Sequence, residues 1–197
     1  MNIEKQQIID YFDRCAPFWD GDMIKDEEIV NLILEGADVR AGKTVLDVAT
    51  GTGVLIPNYL ERGVASVTAV DFSDEMIKIA KYKFHEENVE LICCDVFDLD
   101  TPEHYDCIVV YNAFPHFPQP EALIDHLAKL LKVGGTLTIA HGMSREKLCA
   151  HHSGSAKRVS IELLHEDVLA DMLSERLSVS VKISNDRMYQ ISARKMR

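Results

Sequence analysis

The residues with the clearest chemistry lie between Thr44 and Asp71. Thr44-Val-Leu-Asp47-Val-Ala49 is an apolar run that opens into Thr50-Gly51-Thr-Gly53 and then into a stretch with helical spacing. Glycines at a strand-to-helix turn let the backbone approach a ligand closely, and the helix start offers N–H groups to its polar parts. A second run, Val67-Thr-Ala-Val-Asp71, ends in a carboxylate twenty positions after Gly51. An acid at that point of an open α/β sheet accepts hydrogen bonds from ribose hydroxyls. Asp71 is also placed to cap the next helix, but Ser73 and Asp74 can take that role, which leaves Asp71 to the ribose. A dinucleotide site reads G-x-G-x-x-G, its last glycine allowing close packing around a pyrophosphate. Here Ile56 holds that sixth position. The ligand expected from these residues is therefore a mononucleoside, with a nucleotide-dependent oxidoreductase as the alternative.

These residues need a sheet to hold them. Five short runs rich in β-branched residues, at 44–49, 66–71, 89–94, 106–111 and 136–141, alternate with helical patterns at 55–62, 74–85 and 121–131. Such alternation with short loops predicts right-handed crossovers and a parallel sheet covered on both faces. The third of those helices is expected to end at Gly134-Gly135, where a left-handed cap costs little. After a helical pattern at 161–173, strands at 177–183 and 188–193 flank Ser184-Asn185-Asp186-Arg187, short enough for an antiparallel hairpin. Residues 1–42 read as two helices interrupted at Pro17, a helical cap on a main domain of 43–197, the whole forming one structural domain.

Composition narrows the function. Twenty-one basic against thirty-two acidic residues leave a net charge of −11, which repels a phosphate backbone and argues against nucleic acid as a partner. The longest apolar stretches, such as 107–111, fall far short of the roughly 20 residues that cross a bilayer, so no membrane partner is expected. Five cysteines without a regular framework, and no charged-then-apolar leader, predict a reduced, cytoplasmic protein.

Taken with their order, the motifs resemble the class I S-adenosylmethionine-dependent methyltransferases, in particular the group that includes ubiquinone-biosynthesis-type enzymes. Asp47-Val-Ala49-Thr-Gly51-Thr-Gly53 is similar to that family's D-x-G-x-G-x-G, with Ala49 in place of the first glycine. Val70-Asp71-Phe72-Ser73-Asp74-Glu-Met76, Cys93-Cys94-Asp95-Val96-Phe97, the strand ending in Tyr111-Asn112, and Leu130-Leu131-Lys-Val-Gly134-Gly135 resemble its later segments. The resemblance implies a doubly wound, Rossmann-like, mostly parallel seven-stranded sheet with a C-terminal antiparallel hairpin, and S-adenosyl-L-methionine as cofactor. It further implies that Asp47 orients the methionine ammonium through the loop and that Ala49, Gly51 and Gly53 lie against the cofactor. Asp71 is then on the ribose, Phe72 and Met76 are near the adenine, Asp95 takes the adenine amino group beside Val96, and Asn112 faces the transferable methyl. The reaction implied is in-line methyl transfer to an O, N or S atom of a small-molecule acceptor, against the alternative of a non-catalytic domain that binds the same cofactor. Asn112-Ala-Phe-Pro115 is superficially similar to the N-P-P-F of adenine-N6 methylases, but Ala113 and Phe114 replace its two prolines.

The remaining chemistry is that of walls and proton transfer. Aromatic faces favour a sulfonium charge, so Tyr11 and Trp19, with Phe12 and Phe18 nearby, and Phe114 and Phe117 after the fourth strand, are candidates to line the acceptor site. A histidine, with an ordinary pKa of about 6.5, suits removal of the acceptor's proton. Of the eight histidines, His141 at the end of the fifth strand ranks first, His116 second, and His151 third on the segment that follows. His126 and His165 fall in helical patterns. Cys149-Ala-His151-His152 contains ligand types without a C-x-x-C partner, and no metal is expected.

Overall fold

A computed structural model describes residues 3–22, 25–151 and 158–197. The chain runs through α1 (Lys5–Cys15), a 3₁₀ turn (Ala16–Phe18), α2 (Trp19–Asp22) and α3 (Glu27–Gly36) into β1 (Thr44–Val48). There follow α4 (Ile56–Glu61), β2 (Ser66–Asp71), α5 (Asp74–Lys83), β3 (Val89–Cys93) and β4 (Tyr105–Tyr111). The last part comprises α6 (Pro120–Leu130), β5 (Leu131–His141), α7 (Arg145–His151), α8 (Glu166–Ser174), β6 (Ser178–Ser184) and β7 (Tyr189–Arg194). The seven strands form one sheet in the order β3-β2-β1-β4-β5-β7-β6. β7 runs antiparallel to both β5 and β6, and every other pairing is parallel. The order reverses between β1 and β4, so the crevice at their carboxyl ends is where such a sheet holds a ligand.

Both faces of the central strands are covered, which is why they read as continuous apolar runs. One face packs Leu46, Ile108 and Val110 against Leu123, Leu127 and Leu173 of α6 and α8. The other packs Val45, Val67 and Val109 against Ile29, Ile33 and Leu34 of α3 and Ile56 and Tyr59 of α4.

Three expectations are corrected here. The opening region is not a cap throughout: α3 buries Ile29, Val30, Ile33 and Leu34 in the core, because its apolar stripe at helical spacing has a sheet face to cover. Gly134-Gly135 is no helix cap either. α6 stops at Leu130, Leu131 is already extended, and Gly134 takes φ +81° inside β5. A Cβ on Gly135 would come within 2.9 Å of the Asp106 carbonyl, so the glycines serve an irregular join between β4 and β5. The helix expected from 161 begins only at Glu166, where the His165 side chain accepts the Asp167 N–H and caps it.

Candidate active site

The loop after β1 is built by two buried carboxylates. Asp47 lies behind the loop, where its oxygens accept the Thr50 hydroxyl at 2.6 Å and the Tyr59 hydroxyl at 3.0 Å. Asp71, at the tip of β2, accepts the Gly51 N–H at 2.8 Å on one oxygen and the Ser73 N–H at 2.9 Å on the other. Burial pushes each carboxyl up to about 6. Ala49 and Gly51 sit in the left-handed region at φ +55° and +57°, which turns the chain sharply at the strand tip and lays its backbone along the crevice. Gly53, at φ +82°, has another reason to be glycine: a Cβ there would strike the Phe84 ring at 2.6 Å.

These loops wall a cavity at the β1–β4 switch point. Ala49, Gly51, Asp71, Phe72 and Met76 line one side of it, and Asp95 and Val96 the next. The β4 tip contributes Tyr111 and Asn112. Asn112 is held at φ +54° and accepts the Gly142 N–H at 2.9 Å, which ties the tips of β4 and β5 together. Past that tip, His116 and Phe117 complete the wall. His116 Nδ1 lies 2.9 Å from the Val159 carbonyl. A carbonyl oxygen can only accept, so Nδ1 carries a proton.

A strap made of α1, the 3₁₀ turn and α2 roofs the cavity with Phe12 and Trp19. Phe12 stands edge-on to His116 at 4.8 Å and to Trp19 at 5.7 Å. Each part of the strap is tied to a loop that lines the cavity or flanks it. Lys5 pairs with Asp95 at 2.6 Å, and Asp13 accepts the Ser73 hydroxyl at 2.5 Å. Asp20 accepts the Thr52 hydroxyl at 2.5 Å and pairs with Lys83 at 2.8 Å. The space under this roof is about 120 Å³, whereas ligand pockets usually span about 300–1,000 Å³. A nucleoside therefore needs more room than Phe12 and Trp19 leave in this arrangement.

The cavity collects most of the residues named from the sequence, with these exceptions. Asp47 and Gly53 shape the loop from behind and do not line the cavity. Tyr11 packs on Phe12 at 5.3 Å and also lies off the wall. Phe114 is fully buried in the core under α6. His141, ranked first as a base, is corrected: it is fully buried, faces Tyr189 across the β5–β7 pair at 6.2 Å, and is not on the cavity wall. Its strand end points into the hairpin, where antiparallel β7 covers it. The second-ranked His116 does line the cavity. His151 ends α7, but its side chain, like His152, lies outside the described residues. Thr50, Cys94 and Tyr111 line the cavity without having been singled out. The signal for Tyr111 was its place as the last residue of the run ending beside Asn112. Among the described residues no group of three or more His, Cys, Asp or Glu is arranged to hold a metal ion.

Comparison with known proteins agrees with this geometry. Residues 45–135 match a family described as a methyltransferase domain. The chain is 35% identical over 97 residues to a ubiquinone biosynthesis O-methyltransferase of Nitrosomonas europaea, covering 47% of this chain and 41% of that one. It is 34% identical over 115 residues to a phosphatidylethanolamine N-methyltransferase of Cereibacter sphaeroides, covering 56% and 55%. The chain thus spans about half the length of these curated relatives. Among solved structures, the N-methyltransferase NodS of Bradyrhizobium japonicum WM9, in complex with S-adenosyl-L-homocysteine, superposes with a TM-score of 0.75 over the whole of both chains at 15% identity. A doubly wound sheet with an antiparallel seventh strand, and a glycine turn facing a carboxylate at its switch point, define the class I S-adenosylmethionine-dependent methyltransferase fold. The chain has that fold, and its residues 45–135 match a methyltransferase domain.

Proposed function

We propose that this chain transfers the methyl group of S-adenosylmethionine to an O, N or S nucleophile of a small-molecule acceptor by in-line displacement. The observation that carries this reading is Asp71, whose carboxylate bridges the Gly51 and Ser73 N–H groups while lining a cavity walled by aromatic rings. The residues present fit the cofactor. An ionised carboxylate has about four lone-pair sites, so Asp71 keeps two for ribose hydroxyls. Phe72, Met76 and Val96 offer an apolar slot of the kind an adenine ring fills, with Asp95 at its edge to accept the amino group. The backbone at Ala49 and Gly51 would carry the methionine end.

When bound, the cofactor supplies a methyl group already activated by positive sulfur. What remains for the chain is placement, worth several kcal/mol when reactants are held in line. Phe12, Trp19 and Phe117 exclude water and present ring faces or edges around the acceptor space. His116, on the cavity wall, is the residue placed to take the proton of a hydroxyl, thiol or ammonium acceptor as it attacks. The net charge of −11 favours a small acceptor over a polynucleotide.

Titration calorimetry with S-adenosylmethionine, S-adenosylhomocysteine and NAD tests the reading. The first two should bind and NAD should not. Hydrogen bonds to a charged acceptor contribute about 1.5–3 kcal/mol, so Asp71→Ala should weaken S-adenosylhomocysteine about ten- to a hundredfold. Unchanged affinity in that variant would remove Asp71 from the ribose, and tighter binding of NAD would favour an oxidoreductase.

A further inference from the structure

We propose that a second cavity beside this site holds an apolar chain of the acceptor, which makes the acceptor an amphiphile: a small reactive head on an alkyl or acyl chain. The proposal rests on the methyl-transfer reading above. The second cavity has a volume of about 470 Å³, within the range of sites that take a ligand of ordinary size. Ile3 and Ile8 from the strap and its lead-in form one wall, and Phe97, Phe117, Pro118 and Ala122 the other.

Continuity with the first site identifies the occupant. Phe72, Asp95, His116 and Phe117 line both cavities. The candidate base therefore stands at their junction, and a head held against His116 sends its substituent into the second space. The chemistry of the walls suits a chain. Phe97 packs on His126 at 5.4 Å and is still 42% exposed, which leaves ring area for an apolar chain to cover. Lys5, a lysine on this wall, is held by Asp95 at 2.6 Å, so its charge is answered from within the chain. Gln119 and His116 are the other polar groups along the way, enough to orient a head but not to hold a polar tail.

The test saturates the protein with S-adenosylhomocysteine, then titrates it with hexan-1-ol, octan-1-ol and decan-1-ol by calorimetry. Affinity should rise about three- to fourfold for each added methylene. Ala122 is exposed at the start of α6, so Ala122→Trp fills the cavity without entering the core. It should abolish the chain-length dependence while leaving S-adenosylhomocysteine affinity unchanged. Failure of S-adenosylhomocysteine to bind the parent protein would defeat the methyl-transfer reading, and this proposal with it. Normal S-adenosylhomocysteine binding with alcohols that do not bind, bind without regard to length, or bind Ala122→Trp equally well would overturn the proposal alone. So would a dimer by sedimentation that Ala122→Trp converts to a monomer, which would give the surface to a second copy of the chain.

Discussion

At the scale of single residues, Asp71 carries two properties that move in opposite directions with pH. Its carboxyl is pushed up to about 6 by burial, as is that of Asp47, against about 3.9 in an unfolded chain. A carboxyl raised on folding binds its proton more tightly in the native state, so that part of the stability is present below about pH 4 and is lost as pH rises through about 6. Cofactor binding has the other sign, since only the ionised form of Asp71 offers all its lone pairs to ribose. S-adenosylhomocysteine affinity should therefore be flat above about pH 6 and fall towards about tenfold per unit below it, a slope that Asp71→Asn removes. Calorimetry across pH 5 to 8, roughly the range that brackets this value, checks it. His116 separates binding from turnover. Loss of a general base costs about 10²–10⁴-fold in rate, so His116→Ala should bind S-adenosylhomocysteine like the parent yet turn over an identified acceptor that much more slowly. Equal turnover would mean that positioning alone suffices. Asp71 was legible in the sequence because strand, turn and carboxylate fall at fixed spacing. The ranking of His141 over His116 was not reliable, because a strand end looks the same whether it opens on a crevice or is covered by a returning antiparallel strand.

At the scale of elements, the strap roofs the cavity with Phe12 and Trp19. Its anchors are side chains paired across long stretches of sequence: Asp20 with Thr52 and Lys83, Asp13 with Ser73, and Lys5 with Asp95. No local pattern announces such pairs, so the sequence showed helical spacing in residues 1–42 without showing where the strap ends and the core begins. The division follows from α3, whose apolar stripe continues into the sheet. The parallel strands and their helices were legible for the converse reason, each being specified by its own apolar period. Asp20 offers the clearest test of the strap. Its bond to the Thr52 hydroxyl is charge-assisted, worth about 1.5–3 kcal/mol, while its half-exposed pair with Lys83 is worth at most about 1 kcal/mol. Asp20→Ala should therefore speed both association and dissociation of S-adenosylhomocysteine, the latter by about tenfold or more. Trp19 is the sole tryptophan of the chain and lines the cavity, so stopped-flow fluorescence reads the event directly. Unchanged rates would mean that the roof does not have to open at this end.

At the scale of the whole molecule, the hairpin that closes the sheet is fastened to the helix that precedes it. Gln190 on β7 is fully buried and donates to the Ile33 carbonyl near the end of α3 and to the Ser192 hydroxyl, each at 3.0 Å. Thr138 and Ser192 add a hydroxyl pair at 2.8 Å across β5 and β7. Neither contact was legible in the sequence, where Gln190 is one polar residue in an apolar run and Gly36 reads as an ordinary helix stop. The two positions are coupled in space. A Cβ added at Gly36 would lie 2.6 Å from the Gln190 amide nitrogen, and the buried amide has no solvent to move into. Overpacking of this kind costs about 1–3 kcal/mol, so Gly36→Ala should lower the urea midpoint by that amount of stability with little change in slope. Because the clash is with one side chain, the cost should largely disappear when Gly36→Ala is made in a Gln190→Ala background, giving a coupling of about 1–2 kcal/mol in a double-mutant cycle. Additive losses in the two single variants would show that helix and hairpin are held together by their apolar faces alone. The cavity stands more than one strand away from this join, so S-adenosylhomocysteine should bind the folded variants as it binds the parent.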